Sequence, residues 1–209
     1  MSLHQLLRTG TRADDQRLDL TLDLESPTLT RGAYGRYLQA TRAFCTAVEP
    51  AYRRRALADL GVDMVGRSKL ASLDEDLDYL GLDVVSRWGG PLPQLQSAAQ
   101  VVGCAYVMES ATLGAATLYD RITRRLALGP HAGASHLFGY GPATGSMWKR
   151  FVAMIDAAPL DEDARVACLE AARATFRCLD EGFRDPDWLP AGRVVTRVAF
   201  PRGTGILRA

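Results

Sequence analysis

The stretch from about Leu95 to Leu128 constrains this chain more than any other. Apolar residues recur along it at helical spacing, over a length that would carry one helix across a whole domain. Its middle reads Tyr106-Val107-Met108-Glu109-Ser110-Ala111-Thr112-Leu113-Gly114-Ala115-Ala116. One carboxylate stands there among apolar neighbours, followed by small side chains and a glycine. A helix apolar on most of its faces must lie inside a bundle of other helices. Small residues at its centre let something flat and bulky approach the backbone.

The rest of the chain supplies that bundle. A first helix is expected from about Leu3 to Asp23, with Leu7, Thr11, Asp15, Leu18 and Leu22 along one stripe and Pro27 closing it. Thr30 is placed to cap a second helix, whose stripe runs through Tyr34, Tyr37, Leu38, Thr41, Phe44, Cys45, Val48 and Tyr52. Gly61 ends that unit or marks a kink near Pro50. A third helix is predicted over about Arg67 to Leu80, stopped by Gly81, and Gly89-Gly90-Pro91 is a connector. The long helix follows, with a bend expected near Ser110 to Gly114. Gly129 to Gly145 is rich in glycine and reads as an irregular loop. A helix is predicted from about Ser146 to Ala157, broken by Pro159. A last one opens at Asp161 and shares a face among Leu169, Ala172, Phe176, Leu179 and Phe183. The expected architecture is all-α: one helical-bundle domain over 1–189 and a basic C-terminal tail over 190–209.

Composition narrows the function classes. In 209 residues the hydrophobic share is 47%, the charged share 23% and the net charge +1, the profile of a soluble globular domain. No global charge favours nucleic acid. The apolar runs are interrupted by Glu, Gln or Arg, so no membrane span is expected, and Met1 to Arg12 lacks the apolar core of a signal peptide. A bacterial, cytoplasmic chain is the expectation. Cys45, Cys104, Cys168 and Cys178 form no Cys-x-x-Cys pair and all fall on predicted helices, so they read as buried thiols and not as a metal site.

Several motifs in order carry a family resemblance. Glu109-Ser110-Ala111-Thr112-Leu113-Gly114-Ala115 resembles the distal helix of the bacterial, biliverdin-producing heme oxygenases of the phytochrome-associated type, where the motif is roughly Glu-Gly-Ser-x-Leu-Gly-Ala. Asp15-Gln16-Arg17-Leu18-Asp19 resembles that family's His-Gln-Arg-Leu-Asp/Glu on the first helix. Tyr140-Gly141 followed by Met147-Trp148-Lys149-Arg150-Phe151 is similar to a Tyr-Gly…Trp-x-x-Phe segment. Glu170-Ala171-Ala172-Arg173-Ala174-Thr175-Phe176 is similar to the start of its last helix. Together they imply a heme oxygenase-like fold over nearly the whole chain apart from the tail.

The resemblance also implies a site. Asp15 falls where the family carries the histidine that holds the heme iron, and Ser110 falls where it has a glycine above the porphyrin. Aspartate is a hard oxygen donor and a poor substitute for imidazole on ferrous iron. Ser110 would either donate to a polar ligand or bond back to a helix carbonyl. Glu109, a buried acid, needs a partner, for which Arg12, Arg17, Arg36 or Arg42 is expected, or serves as a proton relay. Arg8, Arg173 and Arg177 match the family's propionate cations. Of the other imidazoles, His4 is too far along the first helix, and His131 and His136 are expected to be solvated in the glycine-rich loop. The implied activity is heme oxygenation, which the missing ligand contradicts. The chain therefore reads as a diverged member with a degenerate heme site. It would bind a tetrapyrrole or another acidic small ligand, or a protein partner, in bacterial signalling. The alternative is a working, biliverdin-forming heme oxygenase with a substitute ligand.

The tail joins the strand-like run Val194-Val195-Thr196-Arg197-Val198-Ala199-Phe200 to Arg193, Arg202 and Arg208, with no acid. It is expected to dock on its own domain or across a homodimer.

Overall fold

In the computed structural model, which describes residues 1–184 and 188–189, the chain is a layered bundle of helices with no strand among the described residues. The helices are α1 (Leu3–Leu22), α2 (Arg31–Val48), α3 (Arg55–Asp59), α4 (Leu70–Leu80), α5 (Ala98–Leu126), α6 (Ser135–Phe138), α7 (Thr144–Ala157) and α8 (Glu162–Arg184). Two 3₁₀ turns, Glu49–Arg53 and Gly141–Ala143, extend α2 and lead into α7.

The central element is α5. Its first half, from Val101 to Glu109, is buried on every side. By length and composition this helix could cross a bilayer. In this fold its apolar faces meet α8, α6 and α7, so it is a core helix. Helix α8 packs on both α5 and α1. The α5–α8 crossing is close because Gly103 carries no side chain. A Cβ there would run into the carbonyl oxygen of Cys168. The four cysteines are buried and unpaired.

Local chemistry sets the ends of these helices. Ser2 with Gln5 and Ser97 with Gln100 form reciprocal caps at the starts of α1 and α5, and Thr30 caps α2. Helix α5 ends on Ala127 in the left-handed region, at φ 51°. Arg31 from the first turn of α2 meets that end, donating to the carbonyls of Leu126 at 2.8 Å and Ala127 at 3.0 Å. A cation at a helix C-terminus also complements its dipole.

The structure departs from the sequence expectations in three places. Helix α4 begins at Leu70 and not at Arg67, because Ser68 and the Lys69 amide turn toward the buried carboxylate of Glu49 and leave the helical path. A short helix, α3, follows the turn at Pro50. The glycine-rich segment is not irregular throughout. Asp76 accepts from the amides of Ser135 at 2.7 Å and His136 at 2.8 Å, which seeds α6. The tail expectations fall on 190–209, outside the described residues.

Candidate functional site

Helices α1 and α5 both pack against α8, and between them lies a cavity of about 550 Å³. That is in the usual range of small-molecule sites, roughly 300–1,000 Å³. Helix α1 presents Arg8, Thr9, Thr11, Arg12 and Asp15 to it, helix α5 Tyr106 and Ser110, and helix α8 Phe176. Arg8, Arg12 and Asp15 stand at i, i+4 and i+7, which puts them in one row along α1. Asp15 and Ser110, singled out ninety-five positions apart in the sequence by one resemblance, thus face the same space.

Among the described residues, the charges on this wall are unpaired. Neither Arg8 nor Arg12 meets a carboxylate among the described residues, and Asp15 meets no cation; the nearby pair Arg17–Asp14, at 3.3 Å, is separate. Asp15 stands at the rim, open to solvent on one side. Protein crowding on the other side raises its pKa, and Asp19 raises it further. Burial pushes the Tyr106 phenol up to about 12, with Asp15 adding to the shift. Ser110 donates to the Val107 carbonyl at 2.9 Å, so its hydroxyl is tied back to its own helix. One turn further on, Gly114 is exposed, with no atom beyond its own helix backbone and its chain neighbours within 4 Å of where a Cβ would be. Ala111 is exposed as well.

Glu109 points the other way. It is 2% exposed, and its oxygens accept from Lys69 at 2.7 Å, from Tyr140 at 2.7 Å and from Arg67. Lys69 also reaches the Tyr140 hydroxyl and lies over its ring, 4.3 Å from the centroid. Arg67 sits over Phe151 and donates to the carbonyls of Asp63 and Met147. Desolvation lowers the Lys69 pKa, and Glu109 is the strongest force holding it up. The expected partners Arg12, Arg17, Arg36 and Arg42 are not the ones found. The cations come instead from the segment that leads into α4.

Other expectations resolve in the same way. Arg173 donates to the Gly10 carbonyl and to Glu170, each at 2.9 Å, so it ties α8 to α1 and does not line the cavity; Arg177 is exposed and does not line it either. Arg12 does line it, and its place between Arg8 and Asp15 on one helical row was the signal for it. His131 is exposed beside Glu75, as expected of a loop histidine. His136 is not solvated. It is buried in α6, with Nε2 3.4 Å from the Tyr37 hydroxyl and Nδ1 without a partner. His4 packs edge-on against Trp148. None of the three histidines lines the cavity.

Comparison with known proteins agrees with this architecture. The heme oxygenase family model matches residues 1–185. The heme oxygenase PigA of Pseudomonas aeruginosa is 30% identical over 172 residues, covering 82% of this chain and 86% of PigA. Among solved structures, the NO- and CO-bound heme oxygenase of Neisseria meningitidis superposes with a TM-score of 0.79 at 22% identity, over 96% of this chain and all of that one. The heme oxygenase of Leptospira interrogans gives 0.73 at 18% identity, over 88% of this chain and 99% of its own. At those identities the structures show the fold alone. The sequence matches go further, and by their extent this chain belongs to the heme oxygenase family.

Proposed function

We propose that this chain is a ligand-binding member of its family that does not carry out histidine-ligated heme oxygenation, and that it works through the α1–α5 cavity as a sensor or interaction module in bacterial signalling. One observation carries the reading: Asp15, which by motif resemblance stands at the family's iron-ligand position, lines the cavity, and no imidazole of the chain does. The donor set therefore does not fit a heme held through histidine. A carboxylate oxygen is a hard ligand and does not reproduce the electronics of an axial nitrogen. What remains of the site is suited to holding an acidic ligand. Arg8 and Arg12 offer two cations with no carboxylate partner among the described residues, and Phe176 and Tyr106 form an apolar floor.

The test is a hemin titration of the purified protein, followed by absorption and by turnover with an electron donor. The expected result is weak association, without the spectrum of a histidine-ligated complex and without biliverdin. Asp15→His, on the exposed rim of α1, is expected to gain hemin affinity. A tight one-to-one complex of the parent protein that turns over to biliverdin would establish the alternative, an oxygenase with a substitute ligand.

A further inference from the structure

The mismatch between Asp15 and heme has a positive counterpart in the chemistry of tetrapyrroles. A metalloporphyrin has exchanged its inner N–H protons for the metal. It offers a carboxylate nothing to bond except the metal itself. A metal-free tetrapyrrole keeps its inner N–H groups, and these are donors clustered at the centre of the molecule. We propose that the cavity between α1 and α5 selects a metal-free tetrapyrrole over heme, with the Asp15 carboxylate accepting from the inner pyrrole N–H groups and Arg8 and Arg12 meeting the propionates. The proposal rests on the reading above, that this cavity is the ligand site of the chain.

Three observations support it. Asp15 reaches the cavity with no cation partner among the described residues, which leaves its acceptor capacity open to a ligand. Charge-assisted N–H···O⁻ bonds are roughly twice as strong as neutral ones, and a carboxylate crowded on one side by protein gains more from such donors than one in open water. The spacing is right as well. Positions 8 and 15 are about 10 Å apart along a helix axis, and Arg12 lies between them. That is the order of separation between the inner nitrogens of a tetrapyrrole and its peripheral carboxylates. Last, the opposite wall is permissive. Ser110, which lines it, has turned its hydroxyl to the Val107 carbonyl and leaves no polar group pointing at the ligand.

The experiment compares three probes on the same protein: biliverdin, protoporphyrin IX without metal, and hemin. Binding is read from the visible spectrum and fluorescence of the ligand. Either or both of the metal-free probes should bind at least tenfold more tightly than hemin. Which of the two does so identifies the open-chain or the macrocyclic source. Asp15→Ala should weaken the metal-free probes about tenfold and leave hemin within twofold. Asp15→His should reverse the order in favour of hemin. If hemin binds the parent protein as tightly as the others, or if Asp15→Ala weakens all three alike, the selectivity proposal is overturned while the ligand site stands. If no probe binds, the tetrapyrrole proposal falls, while the reading of a chain without histidine-ligated heme chemistry stands. Circular dichroism and melting of each variant separate a lost contact from a lost fold.

Discussion

Glu109→Ala is expected to be among the most damaging single substitutions in the chain, and the reason is electrostatic. The side chain is 2% exposed, and it is the acceptor shared by Arg67, at 3%, and Lys69, at 6%. Removing it strands two buried cations. Lys69 has a way out, because its pKa is already lowered by burial and it can shed its proton once its counterion is gone. Arg67 has none, since a guanidinium stays charged at any pH a protein survives. Breaking a buried pair on one side only typically costs about 3–5 kcal/mol. For a domain of this size each kcal/mol moves the melting temperature by about 2–4 °C, so a drop of roughly 6–20 °C is expected. Glu109→Gln keeps the volume and an acceptor for Tyr140 and should lose most of the same stability. The assay is thermal and urea unfolding, with a control that separates charge from packing. Arg67→Met, Lys69→Met and Glu109→Leu together should recover to within about 2 kcal/mol of the parent, because replacing a whole buried ionic cluster is far cheaper than breaking it. A Glu109→Ala protein melting within about 3 °C of the parent would refute the argument.

Other consequences are open to measurement. Gly103→Ala should destabilise by about 3 kcal/mol, because the new methyl meets the Cys168 carbonyl in a helix crossing that cannot widen. Gly114→Ala should instead stabilise by about 1 kcal/mol, having open space and a better helix former; the same sign for both in denaturant melts would refute this. Ala127→Gly should raise stability by roughly 0.5–1 kcal/mol by relieving the left-handed residue that ends α5, and a loss would count against strain there. Burial, then Lys69, pushes the His136 pKa down to about 3, so the folded protein keeps it neutral where the unfolded chain takes up a proton. Its contribution to stability is lost as pH falls below about 6.5. Asp76, pushed up to about 6 by burial, behaves oppositely, its contribution being present at low pH and lost as pH rises through 6. Between about pH 6 and 4 the two nearly cancel, so Asp76→Asn should uncover a fall of about 1.4 kcal/mol per pH unit as pH drops, and His136→Gln the reverse slope. Parallel urea midpoints from pH 7 to 4.5 in both variants would contradict the assignment.

Much of this architecture was legible because it is local. Helix periodicity, the Thr30 cap and the stop at Gly81 are written in a few consecutive residues, and the helices they mark appear within a few positions of where they put them. Asp15 and Ser110 were found through motif order, and the fold then brought them to one cavity. The partners of Glu109 were not legible. Arg67 and Lys69 lie some forty residues away in a non-helical lead, where periodicity carries no information about what a side chain will reach. His136 was hidden for a similar reason. Its glycine-rich surroundings look solvated, and only the distant carboxylate of Asp76 turns them into a buried helical turn. The reach of Arg173 across to the Gly10 carbonyl of α1 likewise leaves no trace in sequence.

Glu109 and Ser110 are consecutive residues with opposite surroundings, one locked into an ionic cluster behind α5 and the other facing the cavity in front of it. This arrangement bears on how such a protein can change over generations. The register of the wall is pinned from its far side, so the near side is free to vary without loosening the bundle. Asp15, at an exposed rim, is equally cheap to replace. A lineage carrying this framework can therefore exchange one ligand for another through a handful of point substitutions, each intermediate remaining folded. Ligand choice and foldability reside in different residues, and selection can act on one without disturbing the other.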